Sequence, residues 1–128
     1  MEPSSLDSVV RVPTSLDTSF FRWWVEFLRP IHKMSPRRME VLAAFLKHRY
    51  FLSLSINDQD LLDKVTLNSD SRKKIADECN ISTNYMQVIF DRFKREEIIK
   101  DDKINPKFIP DIKRGSDSFK LLLYFQFK

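Results

Sequence analysis

The stretch that most constrains this 128-residue chain runs from Ser71 to Phe93. Its apolar residues Ile75, Ala76, Cys79, Ile81, Met86, Ile89, Phe90 and Phe93 fall at helical spacing on either side of Asn80-Ile81-Ser82. A short helix, a three-residue turn and a second, longer helix, each with one buried face, satisfy that pattern. Ser71 is placed to cap the orphan N–H groups of the first helix and Ser82 those of the second. Asn80 tolerates the left-handed conformation that ends a helix, so the first helix can stop there. Ala76 falls where two crossing helices approach most closely, and Ile81 plugs the angle between them.

In spacing and residue type this stretch resembles the helix-turn-helix superfamily, with Asn80 where the common turn glycine stands. Farther on the period changes from helical to two. Phe119, Leu121, Leu123, Phe125 and Phe127 alternate with Lys120, Leu122, Tyr124, Gln126 and Lys128, the pattern of a strand with one buried face. Ile98-Ile99-Lys100 and Lys107-Phe108-Ile109 are candidate partner strands, with Asp101-Asp102 between them. Helices followed by a small hairpin look like the winged subtype, and the wing is then expected at Lys113-Arg114-Gly115-Ser116, in the polar loop 110–118. The fold class expected is therefore mainly α with a small C-terminal antiparallel β-hairpin, winged helix-turn-helix-like.

The rest of the chain divides into an extended N-terminal arm, residues 1–18, and a domain over 19–128 that carries an extra N-terminal aromatic helix. The arm has two prolines, many Ser, Thr and Asp residues and neither period. The extra helix spans Ser19–Arg29, capped by Thr18 or Ser19 and stopped by Pro30. Its apolar residues cover more than one face, so Phe20, Phe21, Trp23, Trp24 and Phe27 are read either as core or as a self-association or partner surface. Ser35-Pro36 opens a core helix carrying Met39, Leu42, Ala43, Leu46 and Tyr50, with Arg37, Arg38, Lys47 and Arg49 as its solvated face. Residues 51–56 leave room for a short strand. Asn57 then caps a helix over 58–67, whose Leu61, Leu62, Val65 and Leu67 pack on the previous one. Asp58, Asp60 and Asp63 lack the turn glycine and terminal glutamate of a calcium loop.

Composition excludes several chemistries. The chain holds one glycine, Gly115, so glycine-cradled phosphate sites and nucleophile elbows lack their raw material. Its one cysteine, Cys79, falls on a buried helix face and reads as a small hydrophobe. His32 and His48 are the only histidines; they are isolated from any zinc or nucleophile spacing and read as surface or structural groups. A non-enzyme without cofactor or metal is expected. The N-terminus shows no secretory pattern, and the apolar run Leu121–Phe125 is far too short to span a bilayer. No membrane partner is therefore expected; the expected location is the host-cell cytoplasm, or a virion.

The net charge is +4, and the excess lies before the helix pair, around Arg22, Arg29, Lys33, Arg37, Arg38, Lys47 and Arg49. Such a charge permits nucleic-acid binding without demanding it. The helix-turn-helix resemblance implies that the second helix enters the major groove of double-stranded DNA. Ser82, Thr83, Asn84, Tyr85, Gln87 and Val88 then face the bases, and Asn84 and Gln87 suit bidentate contact with adenine. Arg92, Lys94 and Arg95, Lys73 and Lys74, and Lys113 and Arg114 of the wing would reach phosphates. Asp91, one turn after Gln87, and the nearby Glu96 and Glu97 oppose that contact, and predict weak binding unless the protein self-associates. The alternative is a structural subunit that uses the same fold for contacts with other protein subunits. The glycine-poor chain with its proline-containing arm looks like small proteins of tailed bacteriophages, where compact helical domains form connector rings or bind packaged DNA.

Overall fold

The computed structural model describes residues 9–128, so the first eight residues of the expected arm lie outside it. Residues 9–15 have no regular structure and are exposed. Six helices follow: α1 (Thr18–Phe27), α2 (Arg29–His32), α3 (Pro36–Ser53), α4 (Gln59–Leu67), α5 (Ser69–Glu78) and α6 (Thr83–Arg95). A two-stranded antiparallel sheet, β1 (Ile99–Lys100) and β2 (Lys103–Ile104), and a 3-10 turn over Pro106–Phe108 complete the regular structure of the described residues. The chain is thus mainly helical with a small sheet near its C-terminus.

Short polar side chains start every helix but α2, and several differ from those expected. Asp17, not Thr18 or Ser19, caps α1, where its carboxylate accepts from Ser19 N at 2.8 Å and meets the positive helix end. Pro30 does not halt the helical path: it sits in the first turn of α2, which needs no N–H there. Lys33, at φ 54, then turns the chain toward α3. Ser35 caps α3 as expected, but the helix runs past Tyr50 to Ser53, so residues 51–56 form its end and a turn rather than a strand. Asp58 instead of Asn57 caps α4. Asn68 instead of Ser71 caps α5, which begins three residues earlier than expected. Ser82 caps α6 as expected, accepting from Tyr85 N at 3.0 Å.

The turn between α5 and α6 closes without glycine. Asn80 is left-handed at φ 56, Ile81 N donates to Ala76 O at 2.9 Å, and Asn80 N donates to Asp77 O at 3.1 Å. Those two bonds form a Schellman motif, with Ile81 tucked against the core. The end of α6 repeats the device with Glu97 at φ 58 and Ile98 N donating to Phe93 O at 2.9 Å.

Helix α3 is the centre of the packing. Met39, Val41, Leu42, Ala43, Phe45 and Leu46 are all buried, and α1, α4 and α5 lie against it. Phe21 and Val25 of α1, Leu62 of α4, Ile75 and Ala76 of α5 and Met86, Ile89, Phe90 and Phe93 of α6 fill the same interior. Ile98, Ile99, Ile104 and Phe108 extend it under the sheet, and Trp24 Nε1 donates to Phe108 O at 2.8 Å.

The hairpin is present but not where the alternation placed it. Ile99 pairs with Ile104 and Lys100 with Lys103 across a two-residue turn, Asp101-Asp102, whose φ values of 55 and 60 are those of a type I′ turn. The partner of β1 is therefore 103–104, while Phe108 belongs to the 3-10 turn. Residues 119–128 form no strand, because the two-residue strands offer no edge long enough to receive them. Phe119 instead seats its ring edge-on against Phe20 and Trp24, with centroids 5.2 and 5.5 Å away. From Leu121 onward the segment is exposed.

Candidate nucleic-acid interface

The α5–turn–α6 unit presents a mixed polar and apolar face on α6, with Tyr85 and Val88 exposed among its polar residues. Ser82, Thr83, Asn84, Tyr85, Gln87 and Val88 are all exposed along the first half of α6, while Met86, Ile89 and Phe90 face inward. The Ser82 hydroxyl is engaged in capping, which fixes the start of the helix rather than leaving the oxygen free. Thr83 and Asn84 make no side-chain hydrogen bond among the described residues. Gln87 Nε2 donates to Asp91 Oδ1 at 2.9 Å, so this amide is held in one orientation by the residue one turn on.

Cations flank the face unevenly. Lys73 and Lys74 on α5 are exposed and have no ion pair among the described residues. Arg72, not singled out from sequence, lies over the Phe90 ring at 4.9 Å, and Lys94 approaches the same ring at 5.1 Å. This arrangement holds two positive groups beside α6 without an acidic partner. The neighbouring Lys73-Lys74 was the available signal for Arg72, but its ring contact depends on how α5 crosses α6. Arg92 has a long contact to Glu96, 3.7 Å, and remains half exposed.

The basic excess of the N-terminal half is largely consumed. Arg38 pairs with Glu96, Lys47 with Glu78, Arg49 with Asp63 at 3.3 Å and Arg37 with Glu40 at 3.4 Å. What reads as a solvated basic face of α3 is thus a set of ties to α4, α5 and the end of α6.

The cations of the expected wing are also committed elsewhere. Arg114 Nη2 donates to Ser53 O and Leu54 O, at 3.4 and 3.3 Å, so it sits at the negative C-terminal end of α3. Lys113 pairs with Asp111 at 3.1 Å in full solvent exposure. The hairpin tip itself is Asp101-Asp102, which is acidic. Neither Lys113 nor Arg114 stands on a hairpin, contrary to the sequence expectation.

The aromatic set of α1 divides in two. Phe21 and Trp24 are buried in the chain's own core and Phe20 is partly buried, so Phe21 and Trp24 are withdrawn from the expected partner surface. Trp23 and Phe27 are 44% and 38% exposed, with rings stacked at 5.9 Å.

His48 and Cys79 are tied into the packing. His48 Nε2 meets Ser71 Oγ at 2.8 Å, and the Ser71 hydroxyl donates to Val65 O at 2.6 Å. The serine proton is thereby used, so the imidazole is the donor, and one side chain ties α3, α4 and α5 together. Burial holds the His48 pKa below its ordinary value, with Lys74 adding to the effect. Burial also pushes the Cys79 thiol up to about 11, as expected for an inert hydrophobe. A cleft of about 530 Å³ lies between α3, α4 and β2, but the Arg49–Asp63 pair and Gln59 lie along its wall. No metal-binding cluster occurs, and no helix is long and apolar enough to cross a membrane, among the described residues.

Comparison of the chain with protein-family models, curated proteins and solved structures finds no match.

Proposed function

We propose that the chain is a non-enzymatic winged helix-turn-helix module that binds double-stranded DNA through α6. The observation that carries this reading is the exposed row Thr83, Asn84, Tyr85, Gln87 and Val88, beginning at the capped end of a helix and bordered by the unpaired Lys73 and Lys74. Asn84 and the ordered amide of Gln87 suit adenine edges, and Thr83 and Val88 suit a thymine methyl. Lys73, Lys74, Arg72, Arg92 and Lys94 supply phosphate contacts, while the acidic hairpin tip supplies none. Affinity per monomer is correspondingly low, and paired half-sites on a dimer compensate.

The test is a duplex-DNA titration at several salt concentrations. Salt-dependent binding is expected, with the slope of log K against log salt reduced by about 2 in Lys73→Ala with Lys74→Ala. In Asn84→Ala with Gln87→Ala, preference among sequences is lost, at about 1–3 kcal/mol per bidentate contact, while the salt slope stays. Absence of salt-dependent binding by the native protein refutes the DNA reading.

A second reading rests on the exposed apolar residues at the C-terminus and on Trp23 and Phe27. In it the chain is a structural subunit, of a tailed-phage virion, and the same fold meets other protein subunits. Failure to bind DNA together with stable assembly in solution favours this one, and it moves the site of action from the host-cell cytoplasm to the particle.

A further inference from the structure

We propose that residues 119–128 form an antiparallel β-strand with the same residues of a second copy of this chain. The inference does not depend on DNA binding. Leu122, Tyr124, Phe125 and Phe127 are 73%, 82%, 76% and 91% exposed, and Leu121 and Leu123 are 40% and 44% exposed. At about 200 Å² for each large side chain, these six residues leave on the order of 800 Å² of apolar surface open on one copy, more than a monomer ordinarily carries. Two such segments, with what they cover, reach the roughly 1,200 Å² at which specific interfaces become stable.

The occupant is argued from the segment itself. It alternates like a strand, has neither Gly nor Pro over 119–128, and its backbone has no ladder partner among the described residues. Its only charged side chains are Lys120 and Lys128. Antiparallel pairing centred on Leu123 sets Phe119 opposite Phe127, Leu121 opposite Phe125, Lys120 opposite Gln126 and Leu122 opposite Tyr124. Lys128 overhangs, so no like charges meet. Centring one residue later sets Lys120 against Lys128, so charge selects the first register. Two-fold symmetry makes the two halves of this interface identical, as a dimer of one chain requires.

A two-stranded ribbon needs an apolar face beneath it. Phe119 pins the root of the strand on Phe20 and Trp24, and helical spacing sets Trp23 and Phe27 within about 60° of Phe20 around α1. The exposed Trp23–Phe27 stack therefore borders the place where the ribbon begins.

Light scattering or sedimentation at tens of micromolar tests this on the full chain. A dimer is expected. Removal of 120–128 is expected to give a monomer, as is Leu123→Lys with Phe125→Lys, each with unchanged helical circular dichroism. Under mild oxidation Leu123→Cys is expected to give a disulfide-linked dimer, because facing strand residues bring their Cα atoms within disulfide reach, whereas Lys128→Cys is not. A monomeric full chain, a dimer that survives both tail variants, or equal cross-linking of Lys128→Cys and Leu123→Cys overturns the proposal. So does a native chain that binds phosphatidylcholine vesicles through the tail while remaining monomeric.

Discussion

His32 holds together two pieces of backbone that no helical hydrogen bond joins. Its Nδ1 accepts from Met34 N at 2.9 Å, so the ring proton is on Nε2, which donates to Val25 O at 2.7 Å. A second proton has only Nδ1 to occupy, and there it displaces the Met34 bond. Burial, the largest cause, lowers the His32 pKa below 6.5, and burial lowers that of His48 as well. Each histidine binds its proton more weakly folded than unfolded. Stability is therefore full well above pH 6.5 and falls as pH drops through 6.5 toward the lower folded-state values. Urea midpoints at about pH 7.5 and about pH 5.5 are expected to show this loss, and His32→Gln with His48→Gln to flatten it. Arg114→Ala, which uncovers two carbonyls at the end of α3, is expected to cost about 0.5–1 kcal/mol in the same assay.

Helix ends show which local signals reach the eye from sequence and which do not. Ser82 and Asn80 were legible because a cap and a left-handed stop depend on one or two neighbouring peptide groups. Ser71 misled because its hydroxyl is spent on Val65 and His48, a tertiary arrangement that leaves capping to Asn68. The hairpin was misplaced because strands of two residues carry no visible period, whereas 119–127 carries a strong one with no partner among the described residues to use it. The split among the α1 aromatics was likewise hidden, since which rings are buried depends on where α3 and Phe119 lie. Glu97, left-handed at φ 58 in the α6 stop, is a residue where glycine fits better. Glu97→Gly is expected to raise stability by about 0.5–1 kcal/mol in urea unfolding. Replacing the turn by Asp101→Asn with Asp102→Gly is expected to stabilise the hairpin by a few tenths of a kcal/mol. Under the proposed DNA contact the same change also strengthens binding at low salt, by removing two negative charges from the hairpin tip.

Across the whole molecule, charge is used mainly inward. The arginines and lysines of α3 fasten it to α4, α5 and the end of α6, which leaves the net +4 spread thinly rather than gathered into a basic patch. Composition alone reported the excess and was silent about these ties, because pairing is a property of the packed helices. Apolar surface, in contrast, is left open on α1 and on residues 121–127. The bond from Trp24 to Phe108 spans 84 residues. At about 5–20 residues per second, α1 waits about 4–17 s on the ribosome before that acceptor is made. Phe119 comes later still, so the helix synthesised first is the last to be covered. Residues 120–128 follow Phe119 within about 0.5–2 s at the same rate, so the segment most inclined to join another chain arrives together with the ring that covers α1.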